Sequence, residues 1–325
     1  MKARGGIDLG GTKIQAVVVD GRNRVRGQAR HPTPQKGGPP DVAAAIAESL
    51  HEAAGAAGTT SDQLVGVGVG SPGEVDARAG IVEQARNLPG WHDTYPLGPV
   101  LAKELGTPVR LGNDVDVAVA GEFKLGAGKP YDSILGVWWG TGVGGGVILD
   151  DRQWDGRGTA GEIGHMVVKI GGRRCPCGRR GCMEAYAGRA AMEARARKLV
   201  GEGRKTKLFE IMEERGRDRL TSGVWERALR KGDKLTSELI AEAVAALGAG
   251  VASACNLLDV EAVIVGGGLG TRFGSEYAGR ILEAMLPHLF VDDNPPDVHV
   301  AALGDLGGAI GAALLVSDGA QHGRG

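Results

Sequence analysis

The sequence predicts an α/β protein of two lobes with a central cleft, and three observations carry that expectation. The chain has 325 residues, long for one core and suited to two domains of roughly 100 to 200 residues each. Glycine is abundant, 57 residues in all, well over twice the usual share of about 7%, and it gathers at the ends of strand-like runs. A strand, glycine turn, strand, acidic turn grammar occurs at residues 6–21 and again from Ile134 to Asp151, an internal repetition that suggests two lobes of common architecture.

Taken in order, Gly6 to Asp20 reads as strand, glycine turn and strand, with a further turn at Asp20-Gly21-Arg22-Asn23, an antiparallel meander. After Pro39-Pro40, Asp41 is expected to cap an alanine-rich helix to about Ala57, because a short acidic side chain can accept the first free N–H groups. Leu64 to Val69 reads as a buried strand ending in Ser71-Pro72-Gly73, followed by a helix over Leu97–Leu105, a strand over Val109–Leu111 and a helix from Val115. From Ile134 the meander recurs. Beyond it come mostly helical segments, a charged stretch over 201–234 that reads as solvated surface, a long apolar-faced helix from Leu235 to Leu258, and the strand Ala262–Val265 ending in Gly266-Gly267-Gly268. A last helix over Gly307–Val316 is expected to pack back on the first lobe, and Gln321–Gly325 to be disordered. The lobes are therefore drawn at 1–112 plus 304–325 for the smaller and 113–303 for the larger.

Composition excludes several function classes. With 38 basic and 39 acidic residues the formal charge is −1, so there is no global positive field for nucleic acid or an anionic membrane. Met1 to Gly6 carries no signal-peptide pattern, and no apolar run approaches the 18 or so residues of a membrane span. A cytoplasmic protein is expected, with neither nucleic acid nor membrane as partner.

Three glycine turns follow strands: Gly10-Gly11-Thr12-Lys13, Gly140-Thr141-Gly142 with Gly144-Gly145, and Gly266-Gly267-Gly268. Backbone N–H groups without a Cβ beside them can close on phosphate oxygens, and Thr12, Thr141 and Lys13 add donors. The second turn also fits the G-x-G-x-x-G pattern, but that pattern requires a helix next, and Val147-Ile148-Leu149 continues as strand. Asp8, at a strand end beside the first turn, is placed to hold Mg²⁺ through water, or is a plain turn aspartate. Asn113-Asp114 follows a strand and precedes a helix, where α/β ligand sites lie; Asp114 equally reads as the helix N-cap.

Three of the four cysteines, Cys175, Cys177 and Cys182, lie close together, with His165 ten positions upstream. Three thiolates and an imidazole form a closed tetrahedral set of the structural zinc type, with no open position to activate water. Arg173, Arg174, Arg179 and Arg180 flank the loop and can offset the net negative charge of such a centre. The loop would fix Glu162 and Glu184, two carboxylates suited to accepting sugar hydroxyls.

With these residues in view, the chain resembles the ROK family of actin-like sugar kinases, most of all its bacterial ATP-dependent glucokinases. The likeness runs from Gly6 to about Val316 and is most specific at Ile7–Lys13, Gly161-Glu162-Ile163-Gly164-His165 and Cys175–Glu184. It implies a two-lobed actin-like, ribonuclease H-like ATPase (hexokinase-type) fold and phosphorylation of a hexose at its 6-hydroxyl, with ATP, Mg²⁺ and structural Zn²⁺ as cofactors. Asp114 matches the family's general base. Asn113, Glu162, His165 and Glu184 match its sugar ligands, Gly73 and Asn87 also lie beside the sugar, and the glycine turns match its nucleotide contacts. The family usually has a small residue and then Asn after the base, whereas Val115-Asp116 stands here; a carboxylate there would raise the basicity of Asp114 only if both faced the ligand. Glucose is the first expectation. Fructose, mannose and N-acetylmannosamine kinases share the motifs, and sugar-sensing regulators of the family carry a helix-turn-helix ahead of the first turn, for which Gly5 leaves no room. A homodimer or dimer of dimers is the family's usual assembly.

Overall fold

The computed structural model describes residues 2–85 and 87–316, so the expectation for Gln321–Gly325 lies outside it. The chain divides into two compact units, residues 1–126 with 303–325, and residues 127–302.

In the first unit, β1 (Arg4–Leu9), β2 (Lys13–Val19) and β3 (Val25–Pro32) form the expected antiparallel meander, and β1 then pairs in parallel with β4 (Val67–Ser71), which pairs in parallel with β7 (Val109–Asn113). The sheet order is β3-β2-β1-β4-β7. The hairpin of β5 (Glu74–Asp76) and β6 (Ile81–Glu83) is an insertion not read from the sequence, because its strands of 3 residues are too short to show alternation. Helix α1 (Pro39–Ala56) packs with α2 (Leu97–Leu105) on one side of the core around Ile46, Leu50, Leu101 and Trp91. Gly38, not Asp41, caps α1. Pro39 and Pro40 take the first helical positions, where a missing N–H costs nothing, and the Asp41 carboxylate turns back to accept the Gly38 N–H at 2.9 Å.

Helix α3 (Asp114–Leu125) and the last helix, α10 (Gly307–Ala313), pack on each other and on β4. This is why the first unit runs to Gly126 and not to residue 112: the helix after Asn113 buries Val117 and Phe123 with the first unit's elements. Glu122 is fully buried at its far end, with one oxygen accepting the Leu303 N–H at 2.8 Å.

The second unit repeats the plan. β8 (Ile134–Trp139), β9 (Val143–Leu149) and β10 (Arg152–Gln153) form a meander, β8 pairs in parallel with β11 (Ala262–Gly266), and β11 with β12 (Asp297–Val300). Its order, β10-β9-β8-β11-β12, is that of the first sheet strand for strand once the inserted hairpin is set aside. Helices α4 (Glu184–Ala187) and α5 (Arg189–Gly201) follow the cysteine loop, and α6 (Leu208–Glu214) and α7 (Ser222–Arg230) make up the charged stretch. Helix α8 (Lys234–Leu258) is 25 residues long and, against the sequence expectation, is long and apolar enough by length and composition to cross a membrane. Leu239, Ala243, Leu247 and Val251 instead bury it in the second core. Helix α9 (Gly267–Met285) starts inside the third glycine turn, where the sequence shows only punctuation.

Candidate active site

In the first unit the expected residues gather around the sheet's carboxyl end. Asp8 pairs across the sheet with Gln15 and Gly70. Burial raises its carboxyl above the ordinary value; Lys13 pulls it down and Asp305 pushes it up again. The Lys13 ammonium stands 3.9 Å from Asp305. The first turn is closed by the Gly10 N–H donating to the Lys13 carbonyl at 2.9 Å and is fastened by the Thr33 hydroxyl on the Gly10 carbonyl at 2.6 Å. Thr12 is exposed at its tip. A Cβ on Gly11 would stand 2.9 Å from the Asn87 carbonyl oxygen, so the turn and Asn87 are neighbours. Gly73 has φ +90°, and a Cβ there would meet the Glu83 carbonyl at 2.5 Å; the turn after β4 therefore needs glycine.

Asn113 is the N-cap of α3: its Oδ1 accepts from the Val115 N–H at 2.9 Å and the Asp116 N–H at 3.3 Å. That leaves the Nδ2 group to donate to a ligand. Asp114 is the first helical residue and not the cap, and the Val115 N–H donates to its Oδ1 at 3.0 Å. Asp116 follows two positions on, about 200° around the helix axis, so the two carboxylates leave the helix on different faces.

In the second unit, Gly140, Thr141 and Gly142 form a tight turn, with the Gly140 N–H on the Gly142 carbonyl at 3.0 Å. Gly144 and Gly145 are not part of it. They lie inside β9, opposite Trp138 and Val137, and a Cβ on Gly145 would strike the Gly161 carbonyl at 2.6 Å; close packing of the 161–163 segment explains that glycine. Gly266 ends β11 against the Trp138 ring, and Gly267, at φ +78°, and Gly268 open α9 beside Gly140.

His165, Cys175, Cys177 and Cys182 bring their donor atoms within 4.8 Å of one another. The Cys177–Cys182 separation is 3.7 Å and that from Cys175 Sγ to His165 Nδ1 is 3.8 Å. Zn–S bonds of about 2.3 Å give a tetrahedron with edges of about 3.7 Å, so the set fits a tetrahedral, thiolate-rich divalent ion. The loop is shaped by the Cys175 N–H on the Arg179 carbonyl at 2.8 Å and by glycines at φ +89° and +84°, Gly178 and Gly181. Without a cation, burial pushes Cys175 up to about 12. Cys177 is held at about 7: burial raises it, and hydrogen bonds from the Arg179 N–H and the neighbouring thiols outweigh that. Three thiolates in such proximity need a cation.

Glu162 and Glu184 are tied to this cluster by different routes. His165 turns Nδ1 to the thiols and Nε2 toward Glu162, whose carboxylate lies 3.8 Å away, within ion-pair range but beyond a hydrogen bond. Glu184 Oε1 lies 3.9 Å from Cys175 Sγ, while Oε2 accepts the Val143 N–H at 2.9 Å. A Cβ on Gly142 would collide with that same oxygen, so glycine here makes room for a carboxylate. Of the flanking arginines, Arg173 is engaged elsewhere: it grips Glu242 on α8 at 2.7 Å and lies over the Tyr186 ring. That anchor, with partners 69 and 13 positions away, left no local signal in the sequence.

The model of the family described as ROK matches residues 4–319. The chain belongs to the ROK family. This ROK chain is 34% identical to the glucokinase of Thermotoga maritima, with 96% of each chain covered. It is 31% identical to the N-acetylmannosamine kinase of Pasteurella multocida over 96% of this chain and 95% of that one. The crystal structure of a ROK family glucokinase from Streptomyces griseus in complex with glucose and AMPPNP superimposes with a TM-score of 0.80 at 32% identity, covering 96% and 98% of the two chains. The two-lobed sugar-kinase fold expected from the sequence is the fold observed.

Proposed function

We propose that this protein transfers the γ-phosphoryl group of ATP to the 6-hydroxyl of a hexose, glucose first, giving glucose 6-phosphate and ADP. The observation that carries the reading is Glu184, whose Oε2 is held by the Val143 N–H beside the glycine turn while Oε1 stands next to the thiol cluster, 3.9 Å from Cys175 Sγ. One carboxylate thereby gives sugar recognition and phosphate recognition a common rigid frame. The identity to a glucokinase supports the same reading, and the related N-acetylmannosamine kinase keeps that sugar as the alternative.

The chemistry asks mainly for positioning and charge stabilisation. Asp114 accepts the proton of the attacking hydroxyl as the new O–P bond forms and the bond to ADP breaks. Asn113 Nδ2, Glu162, His165 and Glu184 hold the sugar, with Asn87 and Gly73 beside it, and the turns at 10–13, 140–142 and 266–268 hold the nucleotide. Asp8 is the carboxylate that would hold Mg²⁺, which when bound neutralises the phosphates. Zn²⁺ on His165 and the three cysteines supplies rigidity and no catalysis. ATP as donor fits a cytoplasmic enzyme, and a homodimer or dimer of dimers is its expected assembly. Incubation with ATP, Mg²⁺ and glucose is expected to yield glucose 6-phosphate by a coupled dehydrogenase assay. ATP consumption without a phosphorylated sugar would contradict the reading.

A further inference from the structure

Arg189, which none of the sequence motifs singles out, opens α5 directly on the second glycine turn. Its backbone N–H donates to the Gly140 carbonyl at 3.1 Å, and that of Ala190 to the Thr141 carbonyl at 3.0 Å. Its side chain then reaches the same turn, with Nη2 on Thr141 Oγ1 at 2.7 Å and Nη1 on the Leu220 carbonyl at 3.4 Å. Leu220 leads into α7, whose Ser222 hydroxyl stands 3.2 Å from where a Cβ on Gly268 would be. The guanidinium thus sits on the second glycine turn and on the segment leading into α7, whose first residue neighbours the third.

The charge balance at this point is incomplete. Among the described residues no carboxylate lies within ion-pair distance of Arg189. The nearest acid on its own helix, Glu193, is occupied: Oε1 takes Arg197 at 2.6 and 3.0 Å and Oε2 takes the Leu220 N–H at 2.9 Å. The other charged side chain that acts on it is a cation, Arg219. Burial lowers the Arg189 guanidinium from its ordinary value, Glu193 opposes that, and Arg219 adds to it. A half-buried cation beside a like charge, hydrogen-bonded only by neutral oxygens and offset only at a distance by a carboxylate that other donors occupy, is costly unless an anion completes it.

We propose that the missing anion is the nucleotide's polyphosphate, and that Arg189, assisted by Arg219, is the charged clamp of the donor site in the second unit. The fork of the guanidinium suits phosphate oxygens. Its contact with Thr141 fixes the hydroxyl of the turn for the same ligand. This rests on the kinase reading and adds to it a cation for the two glycine turns of the second unit, which carry none of their own.

The test is calorimetric titration of the full-length, metal-loaded protein with ADP and, separately, with glucose, for wild type, Arg189→Gln, Arg189→Lys and Arg219→Gln. Arg189→Gln can still hydrogen-bond Thr141 but has no charge. It is expected to weaken ADP binding about tenfold or more, to flatten the dependence of ADP affinity on ionic strength, to leave glucose affinity unmoved, and to melt at or above the wild-type temperature without nucleotide. Arg189→Lys restores most of the ADP affinity, and Arg219→Gln gives a smaller loss of the same kind. Wild-type ADP affinity in Arg189→Gln overturns the inference, and so does a parallel loss of ADP binding, glucose binding and stability, which would make the residue structural. A wild-type protein that binds glucose but no ADP overturns the kinase reading along with it.

Discussion

Asn113 and Asp114 are adjacent, yet the fold gives them different tasks. The Asn113 side chain accepts the free N–H groups of α3, which leaves the Asp114 carboxylate one position further on for the role of proton acceptor that we propose. Asp114→Asn is expected to lower kcat by at least about 100-fold with sugar affinity within a few-fold of wild type, read by steady-state kinetics and calorimetry. Asp8 is expected to trade stability for function. Burial raises its carboxyl above the ordinary 3.8, so folding favours the protonated form. That contribution is fully present below the ordinary value and is lost as pH rises through the raised one, above which an ionised carboxylate is left buried. Asp8→Asn should therefore gain in melting temperature relative to the wild type as pH rises, measured without nucleotide, with a gap that closes on acidification, while turnover is lost; a gap that widens on acidification would contradict this. At this scale residue types were legible and partners were not. Nothing local joins Glu184 to Val143, 41 positions away.

The elements are positioned by glycines as much as by apolar faces. A Cβ on Gly6 would come to 2.0 Å from the Ala309 carbonyl and one on Gly68 to 1.8 Å from that of Ala312, so α10 lies directly on the backbones of β1 and β4. Gly6→Ala must displace that helix, and a loss of about 1–3 kcal/mol or more is expected by denaturant unfolding; an unchanged midpoint would show that α10 is not so constrained. The cysteine loop is the corresponding device in the second unit. Metal analysis is expected to find about one zinc per chain, and Cys177→Ser or chelation should lower stability and turnover together; a Cys177→Ser protein that stays metal-loaded, stable and active would remove the pinning role. Long periodic helices such as α2 and α8 were readable almost to the residue. Helix α9 was not, because glycines disfavour helix. They are needed at its start, where a Cβ on Gly267 would meet the Trp139 carbonyl at 2.7 Å.

For the whole molecule the strongest signal was repetition. The echo of residues 6–21 in 134–151 corresponds to two sheets of one topology, since a meander with glycine turns leaves a pattern that survives divergence. The boundary at Gly126 was hidden, because a helix beginning at a ligand-bearing strand end gives no local sign of which core its other face will join. Choice of hexose was also hidden, since glucokinases and N-acetylmannosamine kinases both lie among the relatives. Hexose phosphorylation at Asp114 is read most directly by ADP release from Mg²⁺–ATP with glucose, mannose, fructose and N-acetylmannosamine side by side, for wild type and Asp114→Asn. Sugar-dependent ADP release by the wild type, greatest with glucose, and its near-abolition in the variant are expected; release with none of the sugars, or equal release by both proteins, would contradict a sugar kinase that uses this base.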